Sequence, residues 1–169
     1  MAATPPHHQT PTPLMPTLLK PLNPYHLNLF TPSLPTTYPG DLRLNRGELR
    51  VCTCSPIDFG FPELVTHLSE QGYAPSTRRF ANTYDFTYVN GPITWHRDEG
   101  NGLTALLLVN STEPIIPNHD YSHVGELITS AGPFPMNPGD IAVFNSDSGH
   151  AWLSDFFCTF ATVFVSRKR

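Results

Sequence analysis

The chain is short of positive charge. Its 169 residues carry 10 Lys and Arg against 14 Asp and Glu, a formal net charge of −4 and a pI near 6.0. A general nucleic-acid binder is usually basic, so this balance counts against tight non-specific DNA binding. Two local basic clusters remain, Arg43, Arg46 and Arg50 before the domain core and Arg167, Lys168 and Arg169 at the C-terminus. Paired cysteines are missing too. The 3 cysteines are Cys52, Cys54 and Cys158. The first two form a C-x-C that strand alternation places on one face, and no second pair completes a structural zinc site. Reduced, mostly buried thiols and an intracellular protein are expected, with the nucleus open to it in a eukaryote. No apolar run reaches the length of a membrane span. The N-terminus lacks the basic and apolar regions of a secretory signal. No membrane partner and no internal repeat is expected.

Proline, by contrast, is abundant, and about half of the 19 prolines fall between Met1 and Gly40. Proline removes backbone donors and blocks helix interiors. A stretch such as PPHHQTPTPLMP buries too little apolar surface to offset its ordering entropy. Residues 1–40 are therefore expected to form a disordered, partly polyproline-II arm. Its second half holds Leu18, Leu19, Leu27, Leu29 and Phe30, which could dock on the surface of a domain spanning residues 41–169. His7 and His8 are read as tail residues without a ligand.

Beyond the arm the pattern turns to strands. GELRVCTC, Gly47 to Cys54, reads as a strand. Pro62 to Gln71 reads as the one convincing helix, with proline in its first turn, an apolar stripe at Leu64, Val65 and Leu68, and Gly72 as a stop. His67 on this helix reads as a boundary residue. From Thr77 the period becomes two, with Phe80, Asn82, Tyr84, Phe86 and Tyr88 as one set. Asn90-Gly91 is a turn signal, and Ile93 to His96 starts another strand. Leu103 to Val109 is nearly all apolar, as for a strand covered on both sides. A loop to Ser122, a strand over Val124 to Thr129, a turn at Pro138-Gly139-Asp140, a strand over Ile141 to Asn145, a short piece from His150 to Leu153 and a long strand over Phe156 to Ser166 follow. One helix and then about seven strands argue for an all-β barrel or jelly roll, a double-stranded β-helix of cupin type.

The chemistry concentrates at His96-Arg97-Asp98. On an extended segment residues i and i+2 share a side, so an imidazole and a carboxylate converge on one ion. His150 follows Gly149 after a strand and a turn, where a jelly roll brings distant strands together, and is placed as the third ligand. Two histidines and a carboxylate on one face of a metal leave positions open for substrate, co-substrate and O2, which suits Fe(II). The alternative is a pair of satisfied structural histidines. His119 and His123 have helical ligand spacing, but Pro117 and Asn118 argue for a loop there.

The stretch YVNGPITWHRDEGN, Tyr88 to Asn101, with GELI, NPGDIAVFNSDSGH and FATVFVSRK, resembles the Fe(II)/2-oxoglutarate dioxygenases. Within these it is most similar to the TET/JBP group, which oxidises 5-methyl groups on pyrimidines in DNA; the AlkB-like repair enzymes share a similar pattern. The resemblance covers Tyr88 to Lys168. It implies that His96, Asp98 and His150 hold iron, that Asn101 contacts a base flipped out of the duplex, and that 2-oxoglutarate and O2 are consumed as a C–H bond is hydroxylated. Trp95, Phe134 and Trp152 could wall the base pocket, or simply pack in a small barrel.

The superfamily's arginine for the far carboxylate of 2-oxoglutarate falls at Thr159, which carries no charge. Arg167 shares that face by alternation, further along the strand, and matches the group's substrate-contacting position. Tyr88 could bond a carboxylate, and Arg78 or Arg79 could supply a fork. Three functions stay open: an oxygenase of a nucleic-acid base, an oxygenase of a protein side chain or small molecule, and a non-catalytic, cupin-like metal-binding module.

Overall fold

Period-two patterning builds two antiparallel sheets. The structure, a computed structural model, describes residues 15–34, 43–76, 84–98, 102–111 and 123–169. Among these lie strands β1 (Thr17–Leu18), β2 (Leu49–Thr53), β3 (Tyr73–Pro75), β4 (Tyr84–Asn90), β5 (Ile93–His96), β6 (Leu103–Ser111), β7 (Gly125–Thr129), β8 (Gly132–Met136), β9 (Ile141–Asn145), β10 (His150–Leu153) and β11 (Phe157–Arg167). Helices are α1 (Pro24–Leu27), a 3-10 turn over Asn28–Ser33, and α2 (Phe61–Glu70). The large sheet runs β1-β9-β6-β11-β4-β2, with β3 paired to the end of β11, and the small sheet runs β5-β10-β7-β8. This is the expected jelly roll. Among the described residues no helix is long and apolar enough to cross a membrane.

The large sheet has two covered faces. On one side α2 and the 3-10 turn lay Phe61, Leu64, Leu68 and Phe30 over Phe86, Tyr88, Leu107 and Val163. On the other side, between the sheets, Leu108, Phe144 and Phe160 meet Leu127, Met136 and Trp152. β6 runs between β9 and β11 and sends Ala105, Leu107 and Val109 to the helices and Leu108 to the barrel. That two-sided burial is the physical reason for its unbroken apolar run.

Three elements escape the sequence pattern. β8 contains Pro133 and Pro135, and it is the outer strand of the small sheet, where a missing N–H costs no ladder bond. β3 is only a short partner for the end of β11. The third is the N-terminal segment. The expectation of a disordered arm over 1–40 needs correction for residues 15–34. There Thr17 and Leu18 pair with Val143 and Ala142 of β9, and Leu19 N–H donates to Ile141 O at 2.9 Å. Phe30 is fully buried, edge-on to Phe61 at 5.3 Å and to Phe86 at 5.7 Å. The prolines set the α1 entry, with Asn23 capping Tyr25 N–H. Burying one such ring contributes roughly 1.5–3 kcal/mol, and together with buried Leu22 and the pairing to β9 it holds a segment whose average composition reads as disordered.

Asn90-Gly91 turns the chain, but not as a hairpin. Gly91, at φ 73°, carries the chain from β4 in one sheet to β5 in the other, and its N–H donates to Phe156 O at 3.0 Å.

Candidate metal centre

His96 ends β5 and His150 begins β10, and the two are direct cross-strand partners. The strands do not keep a simple register. Trp152 pairs with Ile93, so β5 spends one residue more than β10 between the two pairs. That is a β-bulge, which re-aims side chains. It lets Ile93 and His96 both line the space between the sheets. Trp95, inside the bulge, turns outward and is exposed. Its indole covers Gly149 so closely that a Cβ there would lie 2.4 Å from the ring. Gly149 thus allows the approach that seats β5 beside His150.

Asp98 follows β5, and its N–H donates to Ser146 O at 3.1 Å, which ties it to the end of β9. Its carboxylate lies between the two rings. Oδ1 is 3.5 Å from His96 Nε2 and Oδ2 is 3.3 Å from His150 Nε2. The ring centroids are 4.3 Å apart. One donor atom from each of the three residues lies within 4.8 Å of the others. His150 is buried while His96 and Asp98 are about a third exposed, so the centre has a floor and an open mouth.

The tautomers are fixed from behind. His96 Nδ1 lies 2.8 Å from Thr94 O, and His150 Nδ1 lies 2.9 Å from Ser148 O. A carbonyl only accepts, so each Nδ1 carries the proton and donates. Each Nε2 is left to give a lone pair to a cation, or to donate to Asp98 as imidazolium. In metal sites, carbonyls placed behind ligand histidines commonly accept the Nδ1 proton and so fix the ring orientation. Burial pushes the His150 pKa down, but hydrogen bonds to Asp98 and Ser148 outweigh it and hold the ring above its ordinary value. The donor set therefore fits a divalent metal, and its mixed imidazole–carboxylate character suits iron.

A cavity of about 540 Å³ opens from the centre between the sheets. Its walls are mainly apolar, with Leu106, Leu127, Phe144, Trp152 and Phe160 among them. At its far side β2 and β4 contribute Leu49, Val51, Asp85, Thr87 and Val89. Leu49 and Val51 are 43% and 54% exposed, so the cavity is open past the edge of the large sheet.

Three sequence-assigned residues come together here, His96, Asp98 and His150. The others do not. Tyr88 lies on the opposite face of the large sheet, stacked on Phe86 at 6.4 Å, in the layer under α2. Thr159 is the direct partner of Tyr88 and so shares that outward face. Arg167 pairs with Tyr73 at the far end of β11 and is exposed. The barrel-facing residues of β11 at the cavity are instead Phe160, Thr162 and Phe164. Alternation was read correctly, but it does not say which of two covered faces looks into the barrel. Asn101, Arg78, Arg79 and His119 lie outside the described residues. His123 pairs with Glu126 at 3.0 Å and is no part of the centre. Phe134 packs against the inter-sheet core, and Trp152 does line the cavity.

Sequence reasoning missed Asp85. It is the barrel-facing neighbour of Phe86 on β4, its cross-strand partners being Thr53 and Thr162. Burial raises its pKa above the usual carboxylate range, and a hydrogen bond from Thr53 partly offsets this. Its Oδ1 is buried with no hydrogen-bond partner. The available signal was a lone carboxylate between two aromatic residues, on the set opposite to the one singled out.

No family model matches the chain, and no curated protein matches it. Solved structures do. A prolyl-4-hydroxylase from Pseudomonas putida aligns over 91% of this chain and 92% of its own, with TM-score 0.54 and 12% identity. A cupin-2 domain protein from Shewanella frigidimarina aligns over 56% of this chain and 80% of its own, with TM-score 0.33 and 12% identity. Protein NMB1881 from Neisseria meningitidis aligns over 60% and 94%, with TM-score 0.35 and 17% identity. At such identities the likeness to the hydroxylase is one of fold.

Proposed function

We propose that this protein is a mononuclear non-haem Fe(II) oxygenase that hydroxylates a C–H bond. The observation that carries the reading is the convergence of His96 Nε2, His150 Nε2 and the Asp98 carboxylate at the mouth of an apolar cavity. Such a facial set leaves metal positions open, and Fe(II) held there would supply oxygen activation. The chain's own part is positioning. Thr94 O and Ser148 O hold the imidazoles in the ligand tautomer. Leu106, Leu127, Phe144 and Phe160 give the target carbon a dry wall. The fold likeness to a protein named as a hydroxylase supports the reading.

2-Oxoglutarate, the co-substrate that the sequence resemblance implies, is not matched by the described residues. Its far carboxylate calls for a cationic fork. Besides the three metal-centre residues, the described lining residues offer threonines, the Trp152 indole N–H and the Asp85 carboxylate, with no Lys or Arg. Thr159 and Arg167 face elsewhere. A pyrimidine in DNA as substrate rests on Asn101, which is not among the described residues. The mismatch with 2-oxoglutarate favours one second reading, a cupin-like metal-binding module without catalysis.

Anaerobic Fe(II) titration of the full chain, by calorimetry, tests the proposal. Saturable one-to-one binding that His96→Ala abolishes is expected; no binding overturns it. Oxygen uptake by the iron-loaded protein then separates the oxygenase from the inert module. A visible charge-transfer band on adding 2-oxoglutarate would reinstate that co-substrate.

A further inference from the structure

The cavity beside the metal centre holds a second polar feature, and it has the sign opposite to a carboxylate receptor. Asp85 enters from β4, across from Thr162 of β11. β4 and β6 stand on either side of β11. Thr104 of β6 hydrogen-bonds Ser146 at 2.7 Å, and Ser146 O in turn anchors Asp98. Two strand spacings thus separate Asp85 from the metal side, on the order of 10 Å across the sheet. Between them the lining is Leu106, Phe144, Phe160 and Phe164.

An acceptor left unpaired in a folded interior is costly, and such exceptions call for an explanation. Asp85 Oδ1 is one of the few buried side-chain polar atoms without a partner among the described residues. Its own neighbours do not satisfy it: Thr53 bonds the carboxylate, and Oδ1 stays unmatched. Among the described residues lining the cavity there is no Lys or Arg to neutralise it. A ligand bearing N–H donors would complete this group. A ligand bearing a second carboxylate would meet repulsion there.

We propose that Asp85 is the specificity residue of this cavity and that the ligand is a cation on an apolar stem, such as the side chain of arginine or lysine. The proposal rests on the oxygenase reading for the identity of the far end of the ligand, which is the carbon held at the metal. Long basic side chains have the required two-part character, with an aliphatic stem and a charged head. The stem lies along the Leu106–Phe160 wall, and the head meets Asp85 and Thr162. The open side past Leu49 and Val51 admits the ligand, as both are exposed at the sheet edge.

The test uses the full chain and two probes of similar length, n-butylguanidinium and pentanoate. A guanidinium is a poor metal ligand, so its binding reports on the pocket. Calorimetry on the metal-free protein should show butylguanidinium binding at least tenfold tighter than pentanoate, and Asp85→Asn should erase that preference. In the Mn(II)-loaded protein the probe's terminal methyl protons should relax faster than the methylene beside nitrogen, because the tail points to the metal. Equal binding of the two probes, an unchanged preference in Asp85→Asn, or faster relaxation at the nitrogen end would overturn the proposal. The wild-type probe comparison needs no variant, so a misfolded Asp85→Asn leaves it decisive. If Mn(II) does not bind, the oxygenase reading fails while the calorimetric arm still decides the role of Asp85.

Discussion

Ile93 and His96 are three residues apart on one strand, yet both face the same cavity. Plain alternation would put them on opposite sides. The extra residue of the β5 bulge, opposite His150 and Trp152, makes the difference. Within the bulge the outward-turned Trp95 indole lies over Gly149, the residue before His150.

Gly149→Ala should therefore act on both stability and metal binding. The added methyl would meet the indole at 2.4 Å, and overpacking of this kind costs about 1–3 kcal/mol. Urea unfolding should show the loss. Trp95→Ala in the same chain should recover part of it, since Trp95 is 53% exposed and leaves little behind. An unchanged midpoint in Gly149→Ala would mean that the contact is not close.

Removing a ligand should separate the centre from the sequence-assigned outliers. His96→Ala, Asp98→Ala and His150→Ala should each weaken Mn(II) binding by at least about 100-fold, more than the 10–100-fold typical of outer-shell partners. Tyr88→Phe and Arg167→Ala should leave it within about threefold, as neither lines the cavity. Electron paramagnetic resonance of free Mn(II) reads this directly. A strong loss in Arg167→Ala would put β11 in a different register.

The thiols give a pH prediction. Burial pushes Cys158 up to about 12, partly countered by its hydrogen bonds, and Cys54 up to about 11. A raised thiol pKa favours the neutral form in the folded state. Its stabilising effect is whole below the unfolded value of 9.0 and fades as pH climbs toward about 12. Cys158→Ala should accordingly flatten the alkaline loss of stability between those limits. Native Cys158 should also resist alkylation at pH 8 and react once the protein is unfolded.

Phe30→Ala should cost about 3–5 kcal/mol, the range for a fully buried ring. A thermal melt checks it. A change of a few tenths would return residues 15–34 to the status of a loose arm.

The sequence was legible where one periodicity had one meaning. The β6 run matched its strand because burial there follows directly from side-chain pattern. The three ligands were legible because i and i+2 on an extended segment converge and a turn delivers His150. Tyr88 and Thr159 were misplaced because the large sheet is buried on both faces, and pattern alone ranks neither as the barrel side. β8 was hidden by Pro133 and Pro135, which only an edge position tolerates. Phe30 was among the arm residues that could dock, but the proline content of its window set the expectation of disorder, and composition says nothing of one ring that finds a socket.

β1 also closes the outer margin of β9. A bare strand margin is a template on which another chain can pair. A version of the protein starting near residue 41 would lose this cover together with the Phe30 ring. It would then present a naked ladder beside a hollowed core, the two ingredients of self-association. Trimming residues 15–34 should therefore lower solubility before any other property.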